Sequence, residues 1–302
     1  KQRSTGPLSL KGPDILGYLD IEITPTKRGI YLNPRETSMP TATVNGIHLN
    51  YRVEGSGPPL VLAHGFSTGH YVWDTVAERL AGRYQIIRHD HRGHGDSSKP
   101  PGPYRLRDYV DDTVALINYL GFEQVDLMGH SMGGRTALLF ALEHPERLRR
   151  LLLVGAAGAP PKDGQLKRFE AIKKFATEEG MAAVFKSDLF SFALPEAWKN
   201  DPTPALERFL KNTPESFCAA AEATITMPDL RERLGEITSP VWVCAGKRDA
   251  VPLAFSELCK EKIANCTRAI IPACGHYPMQ DATEIFLDQL EKFLDSTPGD
   301  KP

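Results

Sequence analysis

From Thr41 onward, short and almost wholly apolar runs alternate with longer stretches of helical period, and few folds accommodate that pattern. Asn45-Gly46 sits between two alternating runs and signals a hairpin, because both residue types tolerate positive φ. Strands are then expected at Leu60–Ala63, Tyr84–His89, Val125–Met128 and Leu148–Gly155. Helices are expected between them at Val72–Ala81, Leu106–Leu120 and Met132–Leu142. The alternation stops at Ala159-Pro160-Pro161, and residues 162–235 read as helical throughout. It resumes after Ser239-Pro240 with strand Val241–Ala245, helix Pro252–Ile263, strand Ala269–Pro272 and helix Thr283–Leu294. Strands with no polar face, separated by amphipathic helices, imply a parallel sheet buried on both sides. The expected class is therefore α/β: a mostly parallel eight-stranded sheet with helices on both faces. Its core comprises residues 41–161 and 236–296, an inserted helical lid occupies 162–235, and a tail follows from 297 to 302. Residues 1–40 have no clean period and read equally as an appended arm or a disordered leader.

Charge narrows the function classes. With 36 basic and 38 acidic residues the net charge is −2, which leaves no basic surplus for phosphate backbones, so no nucleic-acid partner is expected. No apolar stretch approaches the roughly 20 residues that a membrane span requires. The first residues lack the apolar block of a signal peptide, so a cytoplasmic location is expected, with a leader already removed as the alternative. Five cysteines form an odd set without a Cys-x-x-Cys pair, in keeping with a reducing compartment and against a cysteine zinc site.

The chemistry concentrates at Gly129-His130-Ser131-Met132-Gly133, a Gly-x-Ser-x-Gly run between a strand and a helix. A serine on so sharp a turn holds a strained backbone, and small residues two before and two after leave room for it. The helix that follows offers free amides and a partial positive charge beside a developing oxyanion.

This sequence resembles the α/β-hydrolase family from about Thr41 to Leu294, and within it the esterase, enol-lactonase and haloperoxidase-like members. The resemblance rests on His64-Gly65-Phe66, on Asp90-His91-Arg92-Gly93-His94-Gly95-Asp96-Ser97 and on Gly129 to Gly134. Gly246-Lys247-Arg248-Asp249-Ala250-Val251-Pro252 and Gly275-His276 complete it.

A serine hydroxyl needs a base within hydrogen-bond reach and a third group to orient that base. Of nine histidines, His276 alone lies beyond His144, follows Gly275 and a strand, and can face the serine from the carboxyl edge of the sheet. Asp249 follows strand Val241–Ala245 on the same edge. The family's other position for the acid, after the strand ending near Gly155, carries no carboxylate here. Ser131, Asp249 and His276 then fall in the order that the resemblance implies. It also implies an oxyanion hole from the amides of Met132 and Phe66. The run His89-x-His91-x-x-His94 invites a metal reading, but strand-end spacing does not present ligands as a helical zinc site does. The resemblance makes it a structural loop with Asp90 and Arg92 in buried pairing, so no metal and no cofactor are expected.

Seven of the thirteen phenylalanines fall within the insertion: Phe169, Phe175, Phe185, Phe190, Phe192, Phe209 and Phe217. With Met181, Trp198 and Met227 they suggest an apolar lid over Ser131. Phe190, Trp198 and His130 are the expected substrate contacts. The expected activity is hydrolysis of an apolar or aromatic carboxylic ester or a lactone through an acyl-enzyme. The alternatives are a C–C bond hydrolase of vinylogous diketones with the same three residues, or a non-catalytic ligand receptor. Ser131 argues against epoxide hydrolases and dehalogenases, which use an aspartate nucleophile in this fold. Self-association is left open.

Overall fold

The computed structural model describes residues 39–191 and 194–297. Nearly all of the expected N-terminal arm, Phe192, and the tail beyond Thr297 lie outside the described residues. Eight strands make one sheet: β1 (Thr41–Val44), β2 (Ile47–Glu54), β3 (Pro59–Ala63), β4 (Gln85–His89), β5 (Val125–His130), β6 (Leu148–Val154), β7 (Val241–Gly246) and β8 (Cys266–Ile271). Their spatial order is β1-β2-β4-β3-β5-β6-β7-β8. The hairpin strands pair antiparallel with each other, β2 pairs antiparallel with β4, and every other pairing is parallel.

The expected burial on both faces follows the two-residue period of a strand. Val61, Leu127, Leu151, Leu153, Val241 and Val243 point into one core. Their neighbours Leu60, Leu62, Met128, Leu152, Trp242 and Cys244 point into the other. Helices α1 (Asp74–Leu80) and α12 (Thr283–Ser296) cover the second face. Helices α2 (Leu106–Tyr119), α3 (Met132–Glu143) and α10 (Ala250–Lys262) cover the first. The buried carboxylate of Asp126, on central strand β5, is answered by the guanidiniums of Arg149 and Arg150 at 2.8 and 2.6 Å. Charges at that depth persist only when paired.

Between β6 and β7 the chain runs through α4 (Asp163–Glu179), α5 (Met181–Lys186), α6 (Asp188–Ser191), α7 (Glu196–Asn200), α8 (Thr203–Phe209) and α9 (Pro214–Ile225). They share an apolar cluster of their own, in which Phe185, Phe209 and Phe217 are buried and Phe169, Phe175 and Phe190 are partly so. The short helix α11 (Pro278–Asp281) precedes α12. No helix among the described residues is long and apolar enough to cross a membrane.

Several element boundaries differ from expectation, and those of β8 have a physical reason. Strand β8 begins at Cys266 rather than Ala269, because an edge strand can carry exposed Thr267 and half-buried Arg268 without loss. It ends at Ile271, so His276 stands five positions beyond it on a loop.

Candidate active site

Ser131 takes φ 52 and ψ −111, outside the regions a side chain ordinarily favours, between the end of β5 and the start of α3. Its own amide donates to Val154 O at 2.9 Å, which ties the turn to β6. The flanking glycines are there for space. A β-carbon on Gly129 would lie 2.2 Å from Gly133 O, and one on Gly133 would lie 2.3 Å from Ala63 O. Strand, turn and helix therefore approach more closely than any side chain permits.

Two further loops meet this turn. The first follows β7: the Asp249 amide donates to Gly246 O, closing a turn that leads into α10. The second follows β8 and carries His276. The loops are bonded to each other, with the Lys247 amide on Ile271 O at 3.0 Å, the Arg248 amide on Cys274 O at 2.9 Å and the Arg248 guanidinium on Ala273 O at 2.7 Å. The side chains then line up: His276 Nδ1 lies 2.5 Å from Asp249 Oδ2, and His276 Nε2 lies 2.9 Å from Ser131 Oγ. The three residues expected from the sequence are thus brought into one chain of hydrogen bonds. The imidazole and the carboxylate keep 25% and 19% of their side chains exposed, so the row is not sealed from solvent.

The loop after β3 borders the same turn. A β-carbon on Gly65 would sit 3.3 Å from Ser131 Cβ. Neither the Phe66 amide nor the Met132 amide donates to an acceptor among the described residues. The amide next after the serine and one on the neighbouring loop are thus both without an acceptor among the described residues. The Phe66 ring leans away into the inserted helices, 4.6 Å from Phe217 and 5.8 Å from Phe169 between centroids.

The three expected substrate contacts go to different places. Phe190 is partly buried and packs at 5.0 Å from Phe209 and 6.4 Å from Phe217. Trp198 lies against Tyr71 at 5.9 Å and Tyr277 at 5.8 Å, so it meets the His276 loop through the residue after that histidine. His130 corrects the expectation made of it. It is wholly buried, and its Nε2 lies 2.9 Å from the carbonyl of His276, with the Tyr277 ring tilted against it at 4.6 Å. A strand residue adjoining the turn points into the sheet, and no surface is left on it for a ligand. Burial pushes its imidazole well below the ordinary histidine range, and neighbouring His276 adds to this.

The loop from Asp90 to Ser97 is built differently from the pairing expected. Arg92 forks onto Asp112 with two bonds of 2.6 Å, while Asp90 receives the His70 amide and imidazole, each at 2.9 Å, and Asn50. Burial alone would raise the Asp90 carboxyl, but the His70 bond and the surrounding histidines hold it well below the usual carboxylate range. His70 and Asp112 carried no signal in the sequence, since their partners are 20 residues away. His89 Nε2 and His91 Nδ1 lie 3.2 Å apart and share a hydrogen bond rather than a common centre. Among the described residues, no group of three or more His, Cys, Asp or Glu side chains is arranged to hold a metal ion.

A strained serine at a strand-to-helix turn, bonded to a histidine that is bonded in turn to an aspartate, both from loops after later strands of a mostly parallel eight-stranded sheet, defines a class of protein. The chain belongs to the alpha/beta hydrolase fold family, which it matches over residues 58–282. Particular relatives lie within it. A putative carbamate hydrolase of Azorhizobium caulinodans is 30% identical over 84% of this chain and 98% of its own. The 3-oxoadipate enol-lactonase 2 of Acinetobacter baylyi is 28% identical over 77% of this chain and 88% of its own. The crystal structure of an enol-lactonase from Burkholderia xenovorans LB400 superposes with a TM-score of 0.78 at 25% identity, covering 85% of this chain and all of that one.

Proposed function

We propose that this protein is a serine hydrolase that cleaves a carboxylic ester or lactone through an acyl-enzyme. The observation that carries the reading is the Ser131–His276–Asp249 row, with contacts of 2.9 and 2.5 Å, set on a strained turn beside two free amides. Ser131 Oγ attacks the acyl carbon as His276 Nε2 takes its proton. Asp249 stabilises the resulting imidazolium and keeps Nδ1 protonated. The Phe66 and Met132 amides receive the oxyanion. On collapse, His276 returns the proton to the leaving alcohol, which in a lactone stays attached to the acyl chain. Water, activated by the same histidine, then releases the acid.

Residues 162–235 serve in this reading as a lid. Their phenylalanines join Phe66, whose amide is one of the two oxyanion donors, so the acyl group lies against an apolar wall and an apolar or aromatic acyl chain is favoured. The enol-lactonase names among the relatives agree with lactones as one substrate class. Phe190 and Trp198 are the inserted side chains proposed to meet the substrate.

The test is a panel of p-nitrophenyl esters, lactones and dienones with wild type and Ser131→Ala. Ser131→Ala should lose ester turnover by several orders of magnitude, and a fluorophosphonate should label Ser131 in the wild type. Equal labelling of another serine, or turnover surviving in Ser131→Ala, would overturn the assignment. Turnover of dienones alone would move the activity to C–C hydrolysis.

A further inference from the structure

The loop that carries the Phe66 amide is held at three successive carbonyls, and the third is held from outside. Gly65 O receives His64 Nδ1 at 2.8 Å and Thr68 Oγ1 at 3.0 Å. Phe66 O receives the Ser67 hydroxyl at 2.6 Å. Ser67 O receives Asn212 Nδ2 at 3.3 Å, across 145 positions of sequence. Asn212 lies between α8 and α9 of the inserted segment and is 3% exposed. Its Nδ2 also donates to Phe209 O at 2.8 Å, which ties the donor to its own helix end.

Chemistry settles which way this amide points. Both neighbours of Nδ2 are carbonyl oxygens, so a flipped amide would set an acceptor against two acceptors. In the observed orientation Oδ1 has no partner among the described residues. A buried carbonyl without a partner is unfavourable, so what the position contributes is its donor. Ser67 needs that donor, because it sits at φ 60, a left-handed conformation that non-glycine residues hold only under constraint. Without the bond to its carbonyl, Ser67 can relax toward ordinary backbone angles, and the movement passes one residue back to the Phe66 amide.

We infer that Asn212 is a positioning residue that sets the Phe66 amide of the oxyanion hole, so that seating of the inserted helices and completion of that hole are one event. The inference rests on the serine-hydrolase reading above. Neighbouring Lys211 also bridges the inserted segment to the core, through Asp96 at 2.6 Å, but that pair is about half exposed and touches a different loop. It contributes attachment without aiming an amide, and serves as the control.

The experiment compares wild type with Asn212→Ala, Asn212→Asp and Lys211→Ala by three readouts. These are kcat and KM on p-nitrophenyl butyrate, inhibition by a trifluoromethyl ketone, and hydrogen exchange of a peptide spanning residues 64–69. Complete loss of an oxyanion donor costs about 10²–10³ in kcat, so a misaimed one should cost about tenfold in Asn212→Ala, with KM within about threefold. Asn212→Asp keeps the shape and replaces the donor by an acceptor facing two carbonyls, so it should lose more. The inhibition constant should rise by the factor that kcat/KM falls, because the hemiketal oxyanion uses the same hole. Exchange in 64–69 should quicken in both Asn212 variants and stay unchanged in Lys211→Ala. A lowered melting temperature with kcat unchanged would overturn the inference, as would Lys211→Ala matching Asn212→Ala. The exchange readout does not depend on turnover. Unchanged exchange in the Asn212 variants, beside a wild type that does hydrolyse esters, sinks the tether alone, whereas turnover surviving in Ser131→Ala sinks the serine reading alone.

Discussion

Gly133 stands where a β-carbon would press on Ala63 O at 2.3 Å, and Gly129 where one would press on Gly133 itself. Neither neighbour is the end of a flexible side chain, so relief requires the turn to shift. Gly133→Ala should therefore cost about 1–3 kcal/mol of stability, the usual scale of overpacking, and also displace Ser131 from His276. Thermal unfolding and kcat on a short ester check this, and a variant that keeps both would show that the turn is looser than its contacts. Asp249→Asn should leave the fold intact and lower kcat by orders of magnitude, though less than loss of His276, since it disturbs tautomer and charge rather than removing the base. Near wild-type turnover in Asp249→Asn would mean that another carboxylate serves. At this scale the sequence was informative where chemistry demands a local pattern. The glycines around Ser131 and the aspartate and histidine just beyond strands could be picked out because each sits beside its own landmark. Asn212 and His70 could not, because each acts on a residue brought near only by folding. His130 was misread because proximity in sequence to Ser131 says nothing about the face on which a strand residue emerges.

The inserted helices were recognisable as an element, since prolines and the loss of strand-like runs mark residues 162–235, but their packing was not. Phenylalanine content alone cannot separate side chains that hold helices together from side chains that face a substrate. The structure separates them in part: Phe185, Phe209 and Phe217 are buried, while Phe190 and Trp198 keep exposed surface. Phe190 stands beside Phe217, which stands beside Phe66, so it continues the wall that begins at the proposed oxyanion loop. Phe190→Ala should lower kcat/KM on octanoyl esters several-fold more than on acetyl esters, because a removed apolar contact is worth about 1–3 kcal/mol of discrimination. Trp198 packs instead on Tyr71 and Tyr277, the latter adjacent to His276. Trp198→Ala should therefore lower kcat on short and long esters alike. Paired rates on the two esters decide both cases. An unchanged ratio in Phe190→Ala with a clear fall in melting temperature would assign that ring to cohesion of the insertion.

Across the whole molecule, the distribution of histidine sets the response to acid. Five of the nine, His64, His89, His91, His94 and His130, are essentially without solvent exposure. Four of them crowd behind the loops after β3 and β4, with His64 and His91 rings 4.4 Å apart and His89 and His91 4.7 Å apart. Burial pushes His89 and His94 down to about 4, against partial compensation from Asp90. It pushes His64 and His91 well below the ordinary range, with mutual repulsion among the rings adding to it. In the unfolded chain each returns to about 6.5. Between those limits the unfolded state binds protons that the folded state refuses, so stability rises with pH through the window. The contribution of these neutral rings is whole above about pH 6.5 and is lost progressively as pH falls toward 4. Each histidine contributes a slope of up to about 1.4 kcal/mol per pH unit. Asp90 acts in a separate window: its folded carboxyl lies low, so its contribution persists until the pH falls below the unfolded aspartate range, near 3.9. Urea unfolding at pH 7.5, 6.5, 5.5 and 4.5 should thus show a plateau between the first two points and a steep fall over the last two. Replacing His94, the ring nearest Phe66 at 6.4 Å, with a non-titrating glutamine should flatten that fall by about one histidine's share. A profile level from pH 7.5 to 4.5 would mean that the cluster takes up protons without unfolding, and that its neutrality is not what the fold depends on.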